Sequence, residues 1–529
     1  MTAPPKATRR EWIGLAVIAL PCLLYSMDLT VLNLAVPSLS ADLKPSSTQL
    51  LWILDIYGFL VAGSLITMGT LGDRIGRRRL LMIGAAAFGV ASVLAAFSRT
   101  PSMLIAARAV LGLAGATLAP STMSLIRSMF LDPRQRSVAI GVWIASYSAG
   151  GVIGQPLGGI LLEYFWWGSV FLVSVPVMVL LLAMGPALLP EFRDPEAGRP
   201  DLWSAVLSVA AVLGVIYGLK QIAAHGIGRL AALSIVAGFG LAAVFVRRQR
   251  RLADPLIDLR LFRAPAFSAS LATYMLATFT VFGPYVFIAQ YLQLVLGLSP
   301  LQAGLWSMPF GGGFIVGSML SPIIARHVRP AIMMGVGLVV AAAGFVVLAQ
   351  VGGSSGLAVI VTSTVIFSLG LSPVFTLAND LIIGAVPPER AGAAAGISET
   401  CSEFGGALGI AILGSIGTAI YRRAMADSIP DGIPAEAAAA AQDTLAGALA
   451  AARHLSQQLG AELLDRAREA FTRGLQVTAI TSALMVIAMA ILVVVVLRHV
   501  RSASEPEPPR GREPDAVVAT PNYGLGKVK

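Results

Sequence analysis

The sequence predicts an all-α polytopic membrane protein, and three observations carry that prediction. Hydrophobic residues make up 56% of the 529 residues, charged residues only 12%, and the mean hydropathy is +0.79. A soluble globular chain carries about 25% charged residues. The apolar residues also form long runs, each near the roughly 20 residues that a helix needs to cross a bilayer. The length therefore suits many spans rather than a soluble domain with one anchor.

Fourteen spans are predicted from these runs. The first run follows Lys6, Arg9 and Arg10 and so resembles a signal peptide. It continues through Asp28 to Pro37 without a convincing cleavage site, and we interpret it as the first span. The spans run over roughly 12–36, 50–71, 80–98, 102–125, 137–161, 166–189, 203–220, 230–246, 266–295, 301–325, 331–350, 356–384, 391–420 and 475–497.

Positive charge on alternate connections predicts the topology. Along the chain, connections rich in Lys and Arg alternate with connections that hold few of them. The basic connections, which form the first set, and both termini are expected in the cytoplasm. The net charge of +10 is thus a topology signal and does not indicate a nucleic-acid partner. The first set comprises Arg77, Arg134, Arg193, Arg248, Arg326 and Arg390, and the second Lys44, Arg99, Tyr164, His225, Ser299 and Gly353.

A weak internal repeat predicts the domain organisation. Residues 69–79 have a degraded echo at 317–329, and 136–159 resemble 390–409. The offset is about 250 residues in both cases, which two six-helix halves separated by two extra helices would produce. The expected segments are a cytoplasmic N-terminus (1–11), an N-terminal six-helix bundle (12–190), a linker with two inserted membrane helices (191–263), a C-terminal six-helix bundle (264–499) and a disordered cytoplasmic tail (500–529).

Residues 422–473 are not predicted to span the membrane. By the parity of the spans they lie outside, and their composition favours a helical hairpin on the extracytoplasmic face. The first helix is expected from Pro434, placed for the first turn, to Ala452. Gly460 is expected to break it, with a second helix from about Ala461 leading into the last span.

The connection between spans two and three combines glycines, an acid and arginines. Four arginines lie between positions 74 and 79, Asp73 can accept hydrogen bonds at the membrane edge, and Gly69 and Gly72 would let another helix approach. At these residues the chain resembles the major facilitator superfamily of secondary transporters. The resemblance implies two six-helix bundles, here with two inserted helices, and a hinge at Gly69, Gly72, Asp73, Arg74, Gly76 and Arg77. The alternative is a basic loop that only fixes topology.

Four acids lie deep in predicted spans, where ionisable groups are costly and usually face a cavity or a partner. They are Asp28, Asp55, Glu399 and Glu403. The last two are four residues apart and so share one helix face. Because two like carboxylates repel in a low dielectric, at least one is expected to hold a proton near neutrality, as a proton-coupled carrier requires. The alternative for this pair is a hydrogen-bonded contact between helices.

Arg108 is the basic residue well inside span four, so it needs a neutralising group. Asp28 in span one is the expected partner, and its protonation would free Arg108 as a coupling switch. The alternative is a static ion pair. The residues Arg108, Gly112 and Gly115 resemble the superfamily's motif in this helix.

Span five contains a run of glycines around a proline. Gly150, Gly154, Pro156, Gly158 and Gly159 resemble the glycine–proline motif of the superfamily's antiporters, although Gln155 interrupts the usual form. Glycine permits close packing and proline kinks a helix. Packing alone is the alternative interpretation of this run.

Aromatic and thioether residues near the acids are candidates for substrate binding. A cavity that combines carboxylates with aromatic faces suits a lipophilic cation through charge pairing and cation–π contact. Packing or a position at the membrane interface is the alternative for each side chain. The candidates are Trp52, Tyr57, Tyr147, Tyr285, Tyr291, Trp306, Met308 and Phe310.

Over nearly its whole length the chain resembles the fourteen-spanner drug:proton antiporters, above all the quaternary-ammonium and multidrug efflux pumps. Residues 27–30, 52–57, 291–304 and 398–403 carry the likeness. It implies a monomer in the bacterial inner membrane that exports quaternary ammonium biocides and dyes. Fluoroquinolones are a further candidate class. The proton gradient would supply the energy, with no cofactor or metal. The resemblance assigns proton coupling to Asp28, Arg108, Glu399 and Glu403. It assigns cation binding to Asp28, Asp55, Glu399 and Glu403.

Other functions stay open at this point. An exporter of a natural metabolite, peptide or lipid would share the fold. A membrane-embedded enzyme would need paired acids in a metal-diphosphate or protease arrangement, which the sequence does not contain, so no enzyme is expected. A receptor or sensor would need a signalling domain. The sequence also lacks a G-x-x-x-x-G-K-[ST] phosphate loop, so ATP-driven pumping by this chain is not expected.

Overall fold

The computed structural model describes residues 6–191, 201–226, 228–252, 255, 259–325, 327–385 and 391–497. Nearly all of these residues are helical, and fourteen segments among them are long and apolar enough to cross a membrane. The predicted all-α class and number of spans are therefore confirmed. The predicted tail 500–529 and the residues Arg193, Arg326 and Arg390 lie outside the described residues.

The helices follow one another with short connections. The sixth span consists of α6 and α7 together, a π-helical turn (Tyr291–Val295) continues α10, and short 3-10 helices lie at Leu261–Arg263 and Gly353–Ser355. The described helices are α1 (Arg9–Leu43), α2 (Ser47–Ile75), α3 (Arg77–Ala96), α4 (Pro101–Met129), α5 (Pro133–Tyr164), α6 (Ser169–Leu172), α7 (Ser174–Leu188), α8 (Leu202–His225), α9 (Arg229–Gln249), α10 (Pro265–Gln290), α11 (Pro300–Ile324), α12 (Pro330–Leu348), α13 (Gly356–Gly384), α14 (Ala391–Ala426), α15 (Ala435–Asp443), α16 (Leu445–Ala452) and α17 (Gln457–Leu497).

Capping side chains fix where several helices begin. Ser46 accepts a hydrogen bond from the Gln49 amide at 3.2 Å, and the Gln49 side chain accepts from the Ser46 amide at 3.0 Å. Ser299 and Gln302 form the same reciprocal pair at the start of α11. Such capping boxes satisfy backbone N–H groups that the helix leaves unpaired. The sequence pattern S-x-x-Q therefore determines the first turns of α2 and α11.

Two helical halves meet along two lines of contact. In the first half α1 packs against α5 and α7, while α4 packs against α2 and α3. In the second half α10 packs against α13, α14 and α17, and α12 packs against α13 and α17. The halves meet where α5 contacts α11 and where α2 contacts α14. The inserted helices α8 and α9 pair with each other, and α8 also packs against α2 and α14.

The two ends of the bundle differ. The end with α15 and α16 is here called the hairpin end, and the opposite end, with the connection from α2 to α3, the arginine end. At the hairpin end the backbone and hydroxyl of Ser47 donate to Asp443 at 3.1 and 2.9 Å. The Gln293 amide donates to the Leu34 carbonyl at 2.9 Å. Because each bond joins the first half to the second, the halves are held together at the hairpin end.

The helical hairpin differs from its prediction in two places. The predicted helix from Pro434 to Ala452 is interrupted at Thr444, whose extended backbone ends α15 and whose side chain accepts from the Gly447 amide at 3.0 Å to begin α16. Gly460 does not break the helix but lies buried inside α17. A Cβ at this position would come within 2.8 Å of the Ala452 carbonyl oxygen, so glycine permits the close packing there. The break falls before Gln457 instead, and α17 then runs unbroken into the last span.

Candidate functional site

A buried ion pair joins α1 to α4. The Arg108 guanidinium contacts the Asp28 carboxylate, and only 1% of Arg108 is exposed. Its Nε donates to the Ile53 carbonyl at 3.2 Å, and its centre lies 4.6 Å from the centroid of the Tyr57 ring. The carboxylate, the carbonyl and the ring together replace the water that Arg108 has lost. The contact expected between Asp28 and Arg108 is present, and its role in coupling stays a prediction.

A second ion pair was not expected. The Lys220 ammonium, on the inserted helix α8, lies 2.6 Å from the Asp55 carboxylate, and each residue is 1% exposed. The same ammonium lies 3.8 Å from the centroid of the Trp52 ring. Asp55 and Trp52 were expected to take part in binding an external cation. In this conformation a cation of the chain itself contacts both side chains, and their role in binding an external cation stays a prediction.

The acid pair of α14 faces the first half of the bundle. Glu403 is 7% exposed and accepts a hydrogen bond from the Tyr25 hydroxyl of α1 at 2.7 Å. Glu399 is half-buried, and Tyr147 of α5 adjoins both carboxylates. The i,i+4 spacing therefore places both acids on one face, as expected. Tyrosine hydroxyls from both α1 and α5 thus reach acids on a helix of the other half.

A polar cavity of about 80 Å³ lies next to these groups. Its walls include Asp28, Asp55, Arg108 and Glu403, which come from α1, α2, α4 and α14. A space of this size accommodates a few water molecules, since one water occupies about 30 Å³ in the liquid. The cavity is therefore large enough to hold water beside the buried acids.

A larger and mostly apolar cavity of about 280 Å³ lies beside it. Tyr285, Met308 and Phe310 line it, as expected, together with Tyr274 and Phe375, which pack edge to face with ring centroids 5.2 Å apart. Concave apolar sites with few polar groups are the usual form of small-molecule sites. The two cavities share four lining residues: Tyr147, Thr278, Phe282 and Ser402.

Three other aromatic candidates lie away from the apolar cavity. Tyr291 is 1% exposed and packs against the start of α13, where a Cβ on Gly356 would lie 2.6 Å from its hydroxyl. Trp306 of α11 is 43% exposed. Tyr57 is buried beneath Arg108. None of the three is among the residues that line the apolar cavity, and the binding role expected of them stays a prediction.

At the arginine end, Asp73 and Arg77 form an ion pair of 2.5 Å. Asp73 lies in the last turn of α2, as does Arg74, and Arg77 is the first residue of α3. Gly76 joins the two helices with a φ of +109°, a conformation that favours glycine. At Gly69 another helix does approach, since a Cβ there would make an ordinary contact of 3.8 Å with Pro120 of α4. A Cβ on Gly72 would meet side chains of the α3 segment rather than a more distant helix.

Glu191, which the sequence analysis did not single out, completes this end. Its carboxylate accepts from the Arg78 amide at 3.1 Å and lies 3.4 Å from the Arg78 Nε. Arg78 also donates to the carbonyls of Pro186 and Leu189 at the end of α7. A negative side chain at a helix N-terminus is stabilising, so Glu191 links the end of α7 to the start of α3. A lone acid just after an apolar run was the available sequence signal.

The glycines of span five are contact points between helices. A Cβ at Gly150, Gly154 or Gly158 would lie 2.1, 2.7 or 2.7 Å from atoms of α1. A Cβ at Gly159 would lie 2.8 Å from α11 of the other half, and Pro156 sits inside the helix between these contacts. The motif therefore brings the α5 backbone close to α1 along one stripe and to α11 near Gly159 and Gln155.

Comparison with known proteins defines the class. The family model of the Major Facilitator Superfamily matches residues 18–410. The chain therefore belongs to this superfamily of transporters, in agreement with the resemblance noted in the sequence.

Particular relatives share most of the chain. It is 43% identical over 498 residues to the multidrug efflux pump LfrA of Mycolicibacterium smegmatis, covering 94% of this chain and 98% of the relative. It is 35% identical over 472 residues to the methyl viologen resistance protein SmvA of Salmonella typhimurium, covering 87% and 93%. A bacterial homolog of the human lysosomal transporter Spinster, solved in an inward-facing and unoccupied conformation, matches with a TM-score of 0.66 at 18% identity, covering 93% and 98%. That likeness shows the fold alone.

Proposed function

We propose that this transporter exports lipophilic cations in exchange for protons, as a multidrug efflux antiporter of the bacterial cytoplasmic membrane. The observation that carries the proposal is the junction of the two cavities. The apolar cavity and the polar cavity with its buried acids share Tyr147 and Ser402. The names of the two relatives, which state multidrug efflux and methyl viologen resistance, favour the same function.

The apolar cavity has the chemistry to bind a flat lipophilic cation. Tyr285 and Phe310 offer aromatic faces with ring centroids 5.9 Å apart, and the adaptable side chain of Met308 lies beside them. A cation stacked on these rings would direct its charge towards the junction and the carboxylates of Glu399 and Glu403. Affinity would then depend on whether those carboxylates are ionised.

The exchange follows from this competition. When the cavities face the cytoplasm, the acid pair loses protons and attracts a cation. When they face the outside, protons neutralise the pair and the cation leaves. Asp28 extends the coupling, because protonating it removes the carboxylate that neutralises Arg108. Because protons and the drug compete for the same carboxylates, the entry of protons down their gradient drives the export of the drug.

We place the arginine end in the cytoplasm and the hairpin end outside. The positive-inside rule supports this orientation, because the Arg74–Arg79 segment and the Arg247–Arg251 cluster lie at the same end. The contacts that hold the halves together lie at the hairpin end. This conformation is then the one closed towards the outside.

The test uses purified protein in liposomes with an imposed pH gradient. Ethidium, a fluorescent lipophilic cation, is expected to move against the proton flux, and a protonophore is expected to abolish the movement. Protein-free liposomes control for leakage. If folded protein moves no cation, the proposal fails, and neutral, anionic and lipid substrates become the next to measure.

A further inference from the structure

The Lys220 ammonium occupies a site that has the chemistry of a cation receptor. It lies 2.6 Å from the Asp55 carboxylate and 3.8 Å from the centre of the Trp52 ring. A carboxylate and an indole face are the groups that bind an organic cation in many sites. Here the bound cation belongs to the chain, on a helix outside the two six-helix halves.

The packing of α8 holds this cation in place. Ile216 of α8 is 1% exposed and belongs to a buried cluster with Phe59 of α2 and Ala407 of α14. Lys220 lies one turn further along the same helix. The packing of α8 against α2 and α14 therefore holds the backbone of Lys220 beside Asp55.

The pairing determines which charges remain for a substrate. Among the described residues, the carboxylates on the walls of the polar cavity are Asp28, Asp55 and Glu403. Arg108 contacts the first and Lys220 the second. The acid pair of α14, Glu403 with its neighbour Glu399, is what is left to attract an external cation.

We propose that Lys220 is a specificity-determining residue that cancels the charge of Asp55 and so makes the transporter favour substrates with one positive centre over substrates with two. This rests on the proposed function as a cation exporter. Without the ammonium, Asp55 would present a second carboxylate to the polar cavity. A cation with two positive centres would then find a partner for each of them.

The test compares ethidium with propidium, which carries the same ring system and a second positive charge. Both are measured in liposomes for the natural protein, for Lys220→Met and for the double variant Asp55→Asn/Lys220→Met. We expect Lys220→Met to raise the ratio of propidium to ethidium transport about tenfold, which corresponds to about 1.4 kcal/mol. The double variant lacks both charges and should return to the natural ratio.

The outcomes separate this inference from the proposed function. If the natural protein moves no ethidium, the proposed function fails. If it does, an unchanged ratio in Lys220→Met overturns the inference. An equally raised ratio in the double variant also overturns it, because the effect would then come from lost packing. If Lys220→Met does not fold, Lys220→Gln takes its place with the same expectation, since its amide can donate to Asp55.

Discussion

Gly150 gives the sharpest test of how α1 and α5 pack. A Cβ at this position would lie 2.1 Å from the carbonyl oxygen of Leu23 and 2.9 Å from its carbonyl carbon. A carbon–oxygen contact needs about 3.3 Å, so alanine would force the two helices apart by about 1 Å. Because the obstacle is backbone rather than a flexible side chain, no change of rotamer relieves it.

The neighbouring residue supplies a matched control. A Cβ at Gly151 would meet only the Ser26 hydroxyl, at 3.4 Å. Alanine is favoured over glycine in a helix by about 1 kcal/mol at either position, so that gain cancels between the two variants. The remaining difference is the contact with Leu23. Overpacking costs about 1–3 kcal/mol, and we expect Gly150→Ala to be less stable than Gly151→Ala by about that amount.

Two measurements check this prediction. Thermal unfolding in detergent should give a lower apparent melting temperature for Gly150→Ala than for Gly151→Ala. Ethidium transport should fall at least about tenfold in Gly150→Ala, because a shift of about 1 Å in α1 misplaces Tyr25 and Asp28. Equal melting temperatures and equal transport in the two variants would refute the reasoning, since they would show that α5 does not approach α1 at Gly150.

Three further variants test other contacts. Asp28→Asn leaves Arg108 buried without a carboxylate, which costs about 3–5 kcal/mol, so we expect loss of proton-driven ethidium transport and lower thermal stability. Glu403→Gln keeps a hydrogen-bond acceptor but cannot ionise, so folded protein should lose transport at least about tenfold; near-normal pumping would remove this acid from the coupling site. Asp443→Ala should lower thermal stability by about 1–3 kcal/mol through loss of two hydrogen bonds to a carboxylate, whereas Glu469→Ala, at an exposed ion pair, should leave it unchanged.

The contact between Asp28 and Arg108 was predictable because charges inside a membrane are few and each needs a partner. With one arginine well inside span four and one acid in span one, the pairing had few alternatives. The shared face of Glu399 and Glu403 followed from helix geometry alone. These features depend on local spacing or on scarcity, which the sequence records directly.

The pairing of Asp55 with Lys220 was missed because of a helix boundary. The seventh span was expected to end at Lys220, where an ammonium would reach the membrane surface. The helix instead continues to His225, and the ammonium lies inside. The available signal was Asp55 itself, an intramembrane acid without an assigned partner.

The aromatic candidates of α11 show a different limit. The α11 segment is apolar on all sides, so its sequence has no periodicity that would tell an inward position from an outward one. Phe310 lines the apolar cavity, whereas Trp306, one turn earlier, is not among its lining residues. Orientation within a uniformly apolar helix depends on its neighbours and must be read from the folded chain.

Because of the position of α8, the two interfaces between the helical halves differ in whether another helix covers them. The two halves meet along two seams, one between α2 and α14 and the other between α5 and α11. In the described part of the chain, α8 covers the first seam, and no helix covers the second. A hydrophobic molecule that diffuses within a bilayer leaflet therefore meets one uncovered seam instead of two, and the two sides of the protein differ for such a molecule.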